Sequence, residues 1–286
     1  MSEQTVFLND EYLPLAEAKI SVLDRGFIFG DGVYEVIPAY GGRLFRLTEH
    51  LRRLQDSLDA IRLSNPHSQD EWQLICENLL LQNGKHDQSV YLQISRGVAH
   101  RDHAFPPQTK PTVFAMANRL VAPDPHFLQT GIEALSLPDN RWQHCNIKSI
   151  SLLANILLRQ RAMDEQAMEA ILIRDGLVTE GAASNVFIVE KGVIKTPLKD
   201  HHLLPGITRD LVVELAQNNQ LACIETQISE NELRQADEVW LTSSTKEILP
   251  VTTLNHQPVG EGRPGPVWQK MYNIFQAYKA KLRKPA

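Results

Sequence analysis

Four short turns, each lying between two strand-like runs, constrain the fold of this chain more than any other feature. The turns are at Asn9-Asp10, Gly41-Gly42, Asp175-Gly176 and Lys191-Gly192. Asn, Asp and Gly tolerate the left-handed backbone conformations that tight connections between strands require, so each turn predicts a β-hairpin. Because the turns occur in both halves of the sequence, antiparallel strand pairs are expected in both halves.

Apolar residues at helical spacing lie between these hairpins. In the stretch 47–61, leucine or isoleucine recurs at intervals of four, three, four and three residues, which places the side chains on one face of a helix. These residues are Leu47, Leu51, Leu54, Leu58 and Ile61. A second helix is predicted to begin at the capping box formed by Ser68 and Glu71. Together the patterns predict an α/β (α+β) fold of mixed sheets flanked by helices.

The chain length also allows more than one domain, since 286 residues suffice for one large domain or two of ordinary size. Pro123 and Pro125 lie between two strand-like segments and indicate a short linker near residue 120. We therefore predict an N-terminal α/β domain at 1–120 and a C-terminal α/β domain at 121–286.

Composition argues against several classes of function. Lysine and arginine total 29 against 34 acidic residues, the net charge is −5, and no block of like charge occurs, so neither nucleic-acid nor membrane binding is predicted. The three cysteines are widely spaced and odd in number, which argues against a disulfide framework or a metal site. The N-terminus does not have the pattern of a signal peptide, and no apolar stretch is long enough to span a bilayer. We expect a cytoplasmic protein with a small-molecule ligand.

The glycine-rich segment Gly30-Asp31-Gly32 could suggest a dinucleotide-binding loop. It is followed by a strand pattern, whereas a dinucleotide loop precedes a helix, so no Rossmann fold is predicted. The segment is better interpreted as a turn into a strand. Alternation along that strand places Tyr34 and Glu35 on opposite faces.

The segment around Gly206 is a candidate phosphate-binding site. Gly206 lets a ligand approach the backbone, and Ile207 and Thr208 would begin a helix whose free N–H groups attract an anion. Hydroxyl residues at 242–245, just after a strand, could add donors. Either segment alone also fits an ordinary helix start or strand end.

Three further features are ambiguous on local grounds alone. Lys148, just ahead of an apolar run, could extend to solvent or could be a partly buried amine that acts as nucleophile and base. Glu180, at the end of an apolar strand, could be a solvated carboxylate or a functional one. The segment 95–106 could be an exposed basic loop or a trap for a carboxylate. Its basic residues are Arg96, His100, Arg101 and His103.

Taken together, these segments resemble the fold-type IV enzymes that use pyridoxal 5'-phosphate, and most closely the D-amino-acid transaminases. The matching segments are RGFIFGDGVYEV, EHLRRL, RGVAHRDHAFP, RW with IKSISLL, VTEGAASNVF, GITRD and TSSTKEILPV, in this order over most of the chain. Each segment is a weak signal alone, but the ordered set is specific. The resemblance implies a two-domain fold whose C-terminal domain carries the cofactor lysine.

The resemblance also implies roles for individual residues. Lys148 would bond covalently to the cofactor and move the substrate α-proton, while Glu180 would keep the pyridine nitrogen protonated. The implied phosphate ligands are Arg53, Ile207, Thr208 and Ser244. The implied ligands of the substrate carboxylate are Tyr34, Arg101 and His103. Relatives often assemble this carboxylate site across a homodimer interface.

The implied reaction is ping-pong transamination of a D-amino acid such as D-alanine with a 2-oxo acid such as 2-oxoglutarate. Ala182 and Ala183 depart from the family pattern, because close relatives often have hydroxyl residues there. The alternatives within the same fold are an aminodeoxychorismate lyase, a branched-chain L-amino-acid transaminase and an amine transaminase. A non-catalytic protein that binds the cofactor is an alternative from another class.

Overall fold

The computed structural model describes residues 4–283, which divide into two compact units. The first unit contains residues 4–121, Ile147–Ser151 and residues 282–283. The second contains Ala122–Asn146 and Leu152–Lys281. The division falls beside the linker expected near residue 120.

The segment Ile147–Ser151, which contains Lys148, was expected in the C-terminal domain, but it belongs to the first unit. Hydrogen bonds explain this placement. The Tyr34 amide donates to the Lys148 carbonyl at 3.0 Å, and the Lys148 amide donates to Ser57 Oγ at 3.2 Å. Ile147 also packs against the apolar core of this unit. The cofactor lysine predicted from the sequence therefore lies on a short segment that pairs with a strand of the first unit.

The first unit is built on an antiparallel sheet. Its strands are β1 (Thr5–Leu8), β2 (Glu11–Pro14), β3 (Gly32–Tyr40), β4 (Arg43–Leu44), β5 (Gln88–Ser95) and β6 (Thr112–Arg119). Its helices are α1 (Arg25–Phe29), α2 (Leu47–Ala60) and α3 (Gln69–Gln82). The strand order is β2-β1-β6-β5-β3-β4, and every neighbouring pair is antiparallel.

The apolar faces of α2 and α3 pack against this sheet. On α2 the predicted face is confirmed, since Leu51, Leu54 and Leu58 are buried while Leu47 and Ile61 pack at its edge. Helix α3 begins after Ser68, whose side chain and that of Glu71 form the predicted capping box. Packing of these helices on one face of the sheet fixes β3, which carries Tyr34 and Glu35 on opposite faces.

The second unit contains a larger mixed sheet. Its elements in chain order are α4 (Pro125–Thr130), β7 (Ile132–Pro138), α5 (Leu153–Asp164), β8 (Glu169–Arg174), β9 (Leu177–Gly181), β10 (Asn185–Glu190), β11 (Val193–Thr196), α6 (Ile207–Asn218), β12 (Cys223–Glu225), α7 (Glu230–Gln235), β13 (Glu238–Ser243), β14 (Glu247–Leu254), β15 (Gln257–Pro258) and α8 (Pro266–Leu282). The strand order is β12-β11-β10-β13-β14-β7-β8-β9, and β15 pairs with β14. The pairs β11–β12, β14–β7 and β7–β8 are parallel, so the fold class of mixed sheets with helices is confirmed.

All four predicted hairpins are confirmed by the backbone. At each turn both residues have positive φ, for example 49° and 72° at Asn9 and Asp10 and 52° and 78° at Asp175 and Gly176.

Three short helices, α1, α4 and α7, were not predicted. Helix α1 has only five residues and is defined by its ends: the Asp24 side chain accepts from the backbone at the start, and left-handed Gly30 ends it. Between residues 4 and 283 no helix is long and apolar enough to cross a membrane.

Candidate active site

The candidate residues fall into two groups, one in each unit, and Lys148 belongs to the first. Its side chain is half-buried, and its Nζ lies 4.2 Å from the centre of the Tyr34 ring. An ammonium held against an aromatic face is stabilised by the ring's negative surface. Ser149 and Val33 form an isolated antiparallel bridge, which fixes the segment along β3. The local backbone therefore directs the Lys148 amine to the Tyr34 side of the strand.

On the opposite face of β3, Glu35 is fully buried beside two residues of α2. Arg53 donates Nε and Nη2 to the two carboxylate oxygens at 2.8 Å each, and His50 Nδ1 lies 2.8 Å from Oε2. Burial alone would raise the pKa of Glu35, but the Arg53 guanidinium and the His50 contact outweigh burial and hold this pKa well below its usual range. Glu35 therefore fixes the guanidinium of Arg53, one of the predicted phosphate ligands.

The basic loop between β5 and β6 separates into buried and exposed residues. Arg96 is buried, and it donates Nε and Nη2 to the carboxylate of Asp31 at 2.8 and 3.0 Å. Arg101 and His103, the predicted carboxylate ligands, are exposed and both contact the ring of Phe29. The loop thus has one structural arginine and a separate exposed pair that could bind a carboxylate.

In the second unit, Glu180 lies near the end of β9, as the sequence predicted, and both of its oxygens are occupied. Oε1 accepts from Arg141 Nη1 at 2.5 Å, while Oε2 accepts from the Leu204 amide at 3.0 Å and from Asn185 Nδ2 at 3.3 Å. Burial raises the pKa of Glu180 to about 7, although Arg141 and the Leu204 amide act in the opposite direction. A buried carboxylate with this pKa can share a proton with a weakly basic ligand nitrogen.

Sequence reasoning did not identify Arg141 as a candidate residue. Arg141 is buried, and its guanidinium is held by Asp139, with Nε to Oδ1 and Nη2 to Oδ2 both at 2.9 Å. Arg174 lies 3.2 Å from the same Asp139 carboxylate. Two carboxylates and two guanidinium groups therefore compensate one another around Glu180. The RW pair among the matching segments is the signal that could have pointed to Arg141.

The predicted phosphate residues of this unit lie at the start of α6 and after β13. Gly206 precedes α6 without any side-chain cap, and Ile207 and Thr208 are buried. A Cβ at Gly206 would collide with Asn185 Oδ1, so a larger residue would have to displace the Asn185 side chain. Ser244 is half-buried in the turn between β13 and β14. A helix start without a side-chain cap can accept an anion. Arg53, the fourth predicted phosphate ligand, belongs to the first unit.

Each unit by itself offers groups of the chemical types that pyridoxal 5'-phosphate requires. The first unit offers an amine on an aromatic face, and the second offers a buried carboxylate and a glycine-lined, uncapped helix start. Those groups match the aldehyde, pyridine nitrogen and phosphate of the cofactor in chemical type. No cluster of three or more histidine, cysteine or acidic side chains within residues 4–283 has the arrangement of a metal site.

Comparison with known proteins identifies the family. The model of the class IV aminotransferases matches residues 32–254. The D-alanine aminotransferase of Bacillus licheniformis is 40% identical over 271 residues, 95% of either chain. That of Staphylococcus aureus strain MW2 is 37% identical over 276 residues, 96% of this chain and 98% of the relative. The chain therefore belongs to the class IV aminotransferases, as the sequence resemblance predicted.

A solved structure agrees with this assignment. The branched-chain amino acid aminotransferase of Escherichia coli superposes with a TM-score of 0.91 at 27% identity, covering 99% of this chain and 96% of that one. Because the superposition extends over almost the whole of both chains, the predicted fold of the fold-type IV enzymes is confirmed.

Proposed function

We propose that this protein is a D-amino-acid transaminase that uses pyridoxal 5'-phosphate and passes an amino group from a D-amino acid such as D-alanine to a 2-oxo acid such as 2-oxoglutarate. The observation that carries the proposal is the full-length similarity to D-alanine aminotransferases. The bound cofactor supplies an electron sink and carries the amino group between the two half-reactions.

In this proposal Lys148 has two tasks. Its Nζ would hold the aldehyde of the cofactor, and the free amine would move the substrate α-proton. The segment that holds Lys148 is fixed through backbone bonds to Tyr34 and Ser57, so the amine can move without loosening its own support. Arg53, Ile207, Thr208 and Ser244 are proposed to hold the cofactor phosphate.

Glu180 is proposed to hold the proton on the pyridine nitrogen. Arg141 lies directly against one of its oxygens and favours the ionised carboxylate, which is the form that attracts a protonated nitrogen. The Leu204 amide and the Asn185 side chain occupy the other oxygen and fix the orientation of the carboxylate.

We expect Glu180→Gln to slow removal of the substrate α-proton about a hundredfold while cofactor affinity changes less than about tenfold. An amide cannot favour a protonated ring nitrogen as a carboxylate does, but it still fills the same space. The measurement is exchange of the D-alanine α-proton into deuterated solvent, together with a cofactor titration. Glu261→Gln, which changes an exposed carboxylate paired with Arg263, is the matched control. Unchanged proton exchange in Glu180→Gln would contradict the proposed role.

Arg101 and His103 are proposed, with Tyr34, to bind the substrate carboxylate. We expect Arg101→Ala to lower kcat/KM for D-alanine about tenfold or more, because each charge-assisted bond contributes about 1.5–3 kcal/mol. His103→Ala should act in the same direction but more weakly, since an imidazole donates one bond to the carboxylate where a guanidinium donates two. Steady-state kinetics of both variants provides the measurement.

A carboxylate-free amine is the control substrate for these variants, because it makes no use of the proposed contact. Turnover of that amine, where present, should fall little in either variant. Equal losses on D-alanine and on the amine would mean that the two residues support the fold or the cofactor instead.

A second candidate is a branched-chain L-amino-acid transaminase. The observation that favours it is the high structural similarity to the branched-chain amino acid aminotransferase of Escherichia coli. A matched panel of D- and L-amino acids with 2-oxoglutarate as acceptor separates the two functions. Activity confined to L-leucine, L-isoleucine and L-valine would replace the first proposal with the second.

The protein is proposed to act as a cytoplasmic homodimer. Exposed apolar side chains on one helix support an interface, since Leu153, Ile156 and Leu157 of α5 are 69%, 60% and 60% exposed. Such clustered exposure is unusual on a monomer. Light scattering measures the dimer directly, and its mass should be twice that of the 32.3-kDa chain.

A further inference from the structure

The loop that carries Arg101 and His103 is held through its backbone by a buried arginine of α1. Arg25 is 3% exposed, and its Nη1 donates to the Asp102 carbonyl at 2.6 Å and to the Ala104 carbonyl at 3.3 Å. These two carbonyl groups flank His103 in the chain. One guanidinium therefore fixes the loop on both sides of a proposed substrate ligand.

Arg25 is itself fixed by the Gly30-Asp31-Gly32 turn. Its Nε donates to Asp31 Oδ2 at 2.8 Å, and Arg96 donates to the same carboxylate. Arg96 also donates Nη2 to the Ile61 carbonyl at 2.8 Å, which ties the group to the end of α2. Burial would raise the pKa of Asp31, but the two guanidinium groups hold it below its usual value. The glycine-rich turn thus supplies a charged anchor for Arg25 and Arg96.

Helix α1 contacts the side chains of the loop as well as its backbone. The ring centre of Phe29 lies 5.4 Å from the Arg101 guanidinium carbon and 5.4 Å from the His103 ring centre. The guanidinium carbon of Arg25 lies 4.9 Å from the same ring. Packing on one aromatic ring places Arg101 and His103 on the same side of the loop.

We propose that Arg25 is a positioning residue, which, held by Asp31, fixes this loop so that Arg101 and His103 together bind the carboxylate of an amino-acid substrate. The inference deepens the proposed function and rests on it. A loop that is ordered before the substrate arrives loses less conformational freedom on binding. Loss of its anchor should therefore change KM for the substrate more than it changes cofactor affinity. Nothing in this role requires Arg25 to touch the substrate.

The first test measures the anchor without reference to activity. Trypsin cleaves after exposed arginines when their segment becomes mobile, and Arg101 is exposed, so cleavage of the bond after it reports how firmly the loop is held. In the holoenzyme, Arg25→Met should speed cleavage there about tenfold or more, because both loop carbonyls lose their donor. Arg25→Lys keeps the charge opposite Asp31, yet one ammonium cannot reach the carboxylate and both carbonyls, so faster cleavage is expected in that variant too. It serves as the readout if Arg25→Met fails to fold.

The second test is kinetic. Either Arg25 variant should raise KM for D-alanine about tenfold, with kcat changed less and with cofactor affinity and turnover of a carboxylate-free amine unchanged. Arg52→Met, which removes an exposed arginine of α2, is the matched control and should behave as wild type. In the double variant Arg25→Met with Arg101→Ala, the loss should be clearly smaller than the product of the two single losses, because Arg25 acts through Arg101 and its loop.

The outcomes separate this inference from the proposed function. An unchanged rate of cleavage after Arg101 in both Arg25 variants would overturn the positioning role of Arg25. This holds even where Arg101→Ala selectively lowers turnover of D-alanine. Losses that multiply in the double variant would show that Arg25 acts independently of the loop. Equal loss of D-alanine and amine turnover in Arg101→Ala would remove the proposed carboxylate site, and the inference with it.

Discussion

Lys148→Ala should abolish transamination, with a loss of about a thousandfold or more, while the protein remains folded. No other group in the proposed mechanism can replace the amine that bonds to the cofactor and moves the α-proton. The fold should survive because the backbone groups of Lys148 and the Ile147 side chain hold the segment, and the alanine variant keeps all of them. The measurements are pyruvate release from D-alanine and the circular dichroism spectrum.

Lys85→Ala is the matched control, since Lys85 is an exposed lysine in the connection between α3 and β5. That variant should keep wild-type activity. Normal turnover in Lys148→Ala would show that another amine serves the reaction. Loss of the circular dichroism signal would show that the side chain is needed for folding.

Glu35→Gln should lower the free energy of unfolding by about 3–5 kcal/mol, because it leaves the 5%-exposed Arg53 beside a neutral amide. Denaturant unfolding of the cofactor-free protein measures this loss. Glu49→Gln is the control on α2, since its partly exposed pair with Arg46 should contribute less than about 1 kcal/mol. In the double variant Glu35→Gln with Arg53→Gln, part of the loss should be recovered, because no uncompensated charge remains buried at this pair.

The same pair predicts a pH dependence. The folded-state pKa of Glu35 lies below its unfolded value, so between those two values the unfolded chain binds more protons and stability rises with pH. The contribution is fully present above the unfolded pKa of about 4.5 and is lost as pH falls toward the folded-state value. The stability difference between wild type and Glu35→Gln should therefore shrink below about pH 4.5. A constant difference across this range would argue against a charged Glu35.

The features predicted correctly from the sequence are those encoded by neighbouring residues. The hairpin at Asp175-Gly176 depends on two residues that accept positive φ, and the apolar face of α2 depends on spacing within one helix. The capping box at Ser68 requires only Glu71 three positions later. Local rules of this kind do not depend on the rest of the fold. The family motifs added Lys148 and Glu180 as candidates, and their roles stay predictions.

The contacts that were missed join residues far apart in the chain. Arg25 reaches the Asp102 carbonyl across 77 positions, and Arg141 reaches Glu180 across 39. Every residue has a backbone carbonyl group. The pattern of residue types therefore does not predict which carbonyl group a given arginine will bind. The sequence did not predict that Lys148 lies in the first unit for a related reason, since a five-residue segment that returns to an earlier sheet has no compositional boundary.

That return of the chain has a consequence for biosynthesis. The first unit is not a continuous stretch of sequence, because Ile147–Ser151 joins it only after β7 of the second unit has been made. When residues 4–121 have emerged from the ribosome, β3 is complete but the segment that pairs with it has not yet been made. A fragment cut at the linker would therefore lack Lys148, the proposed nucleophile, however well its own sheet formed. Chemical competence thus becomes possible only after synthesis has entered the second unit.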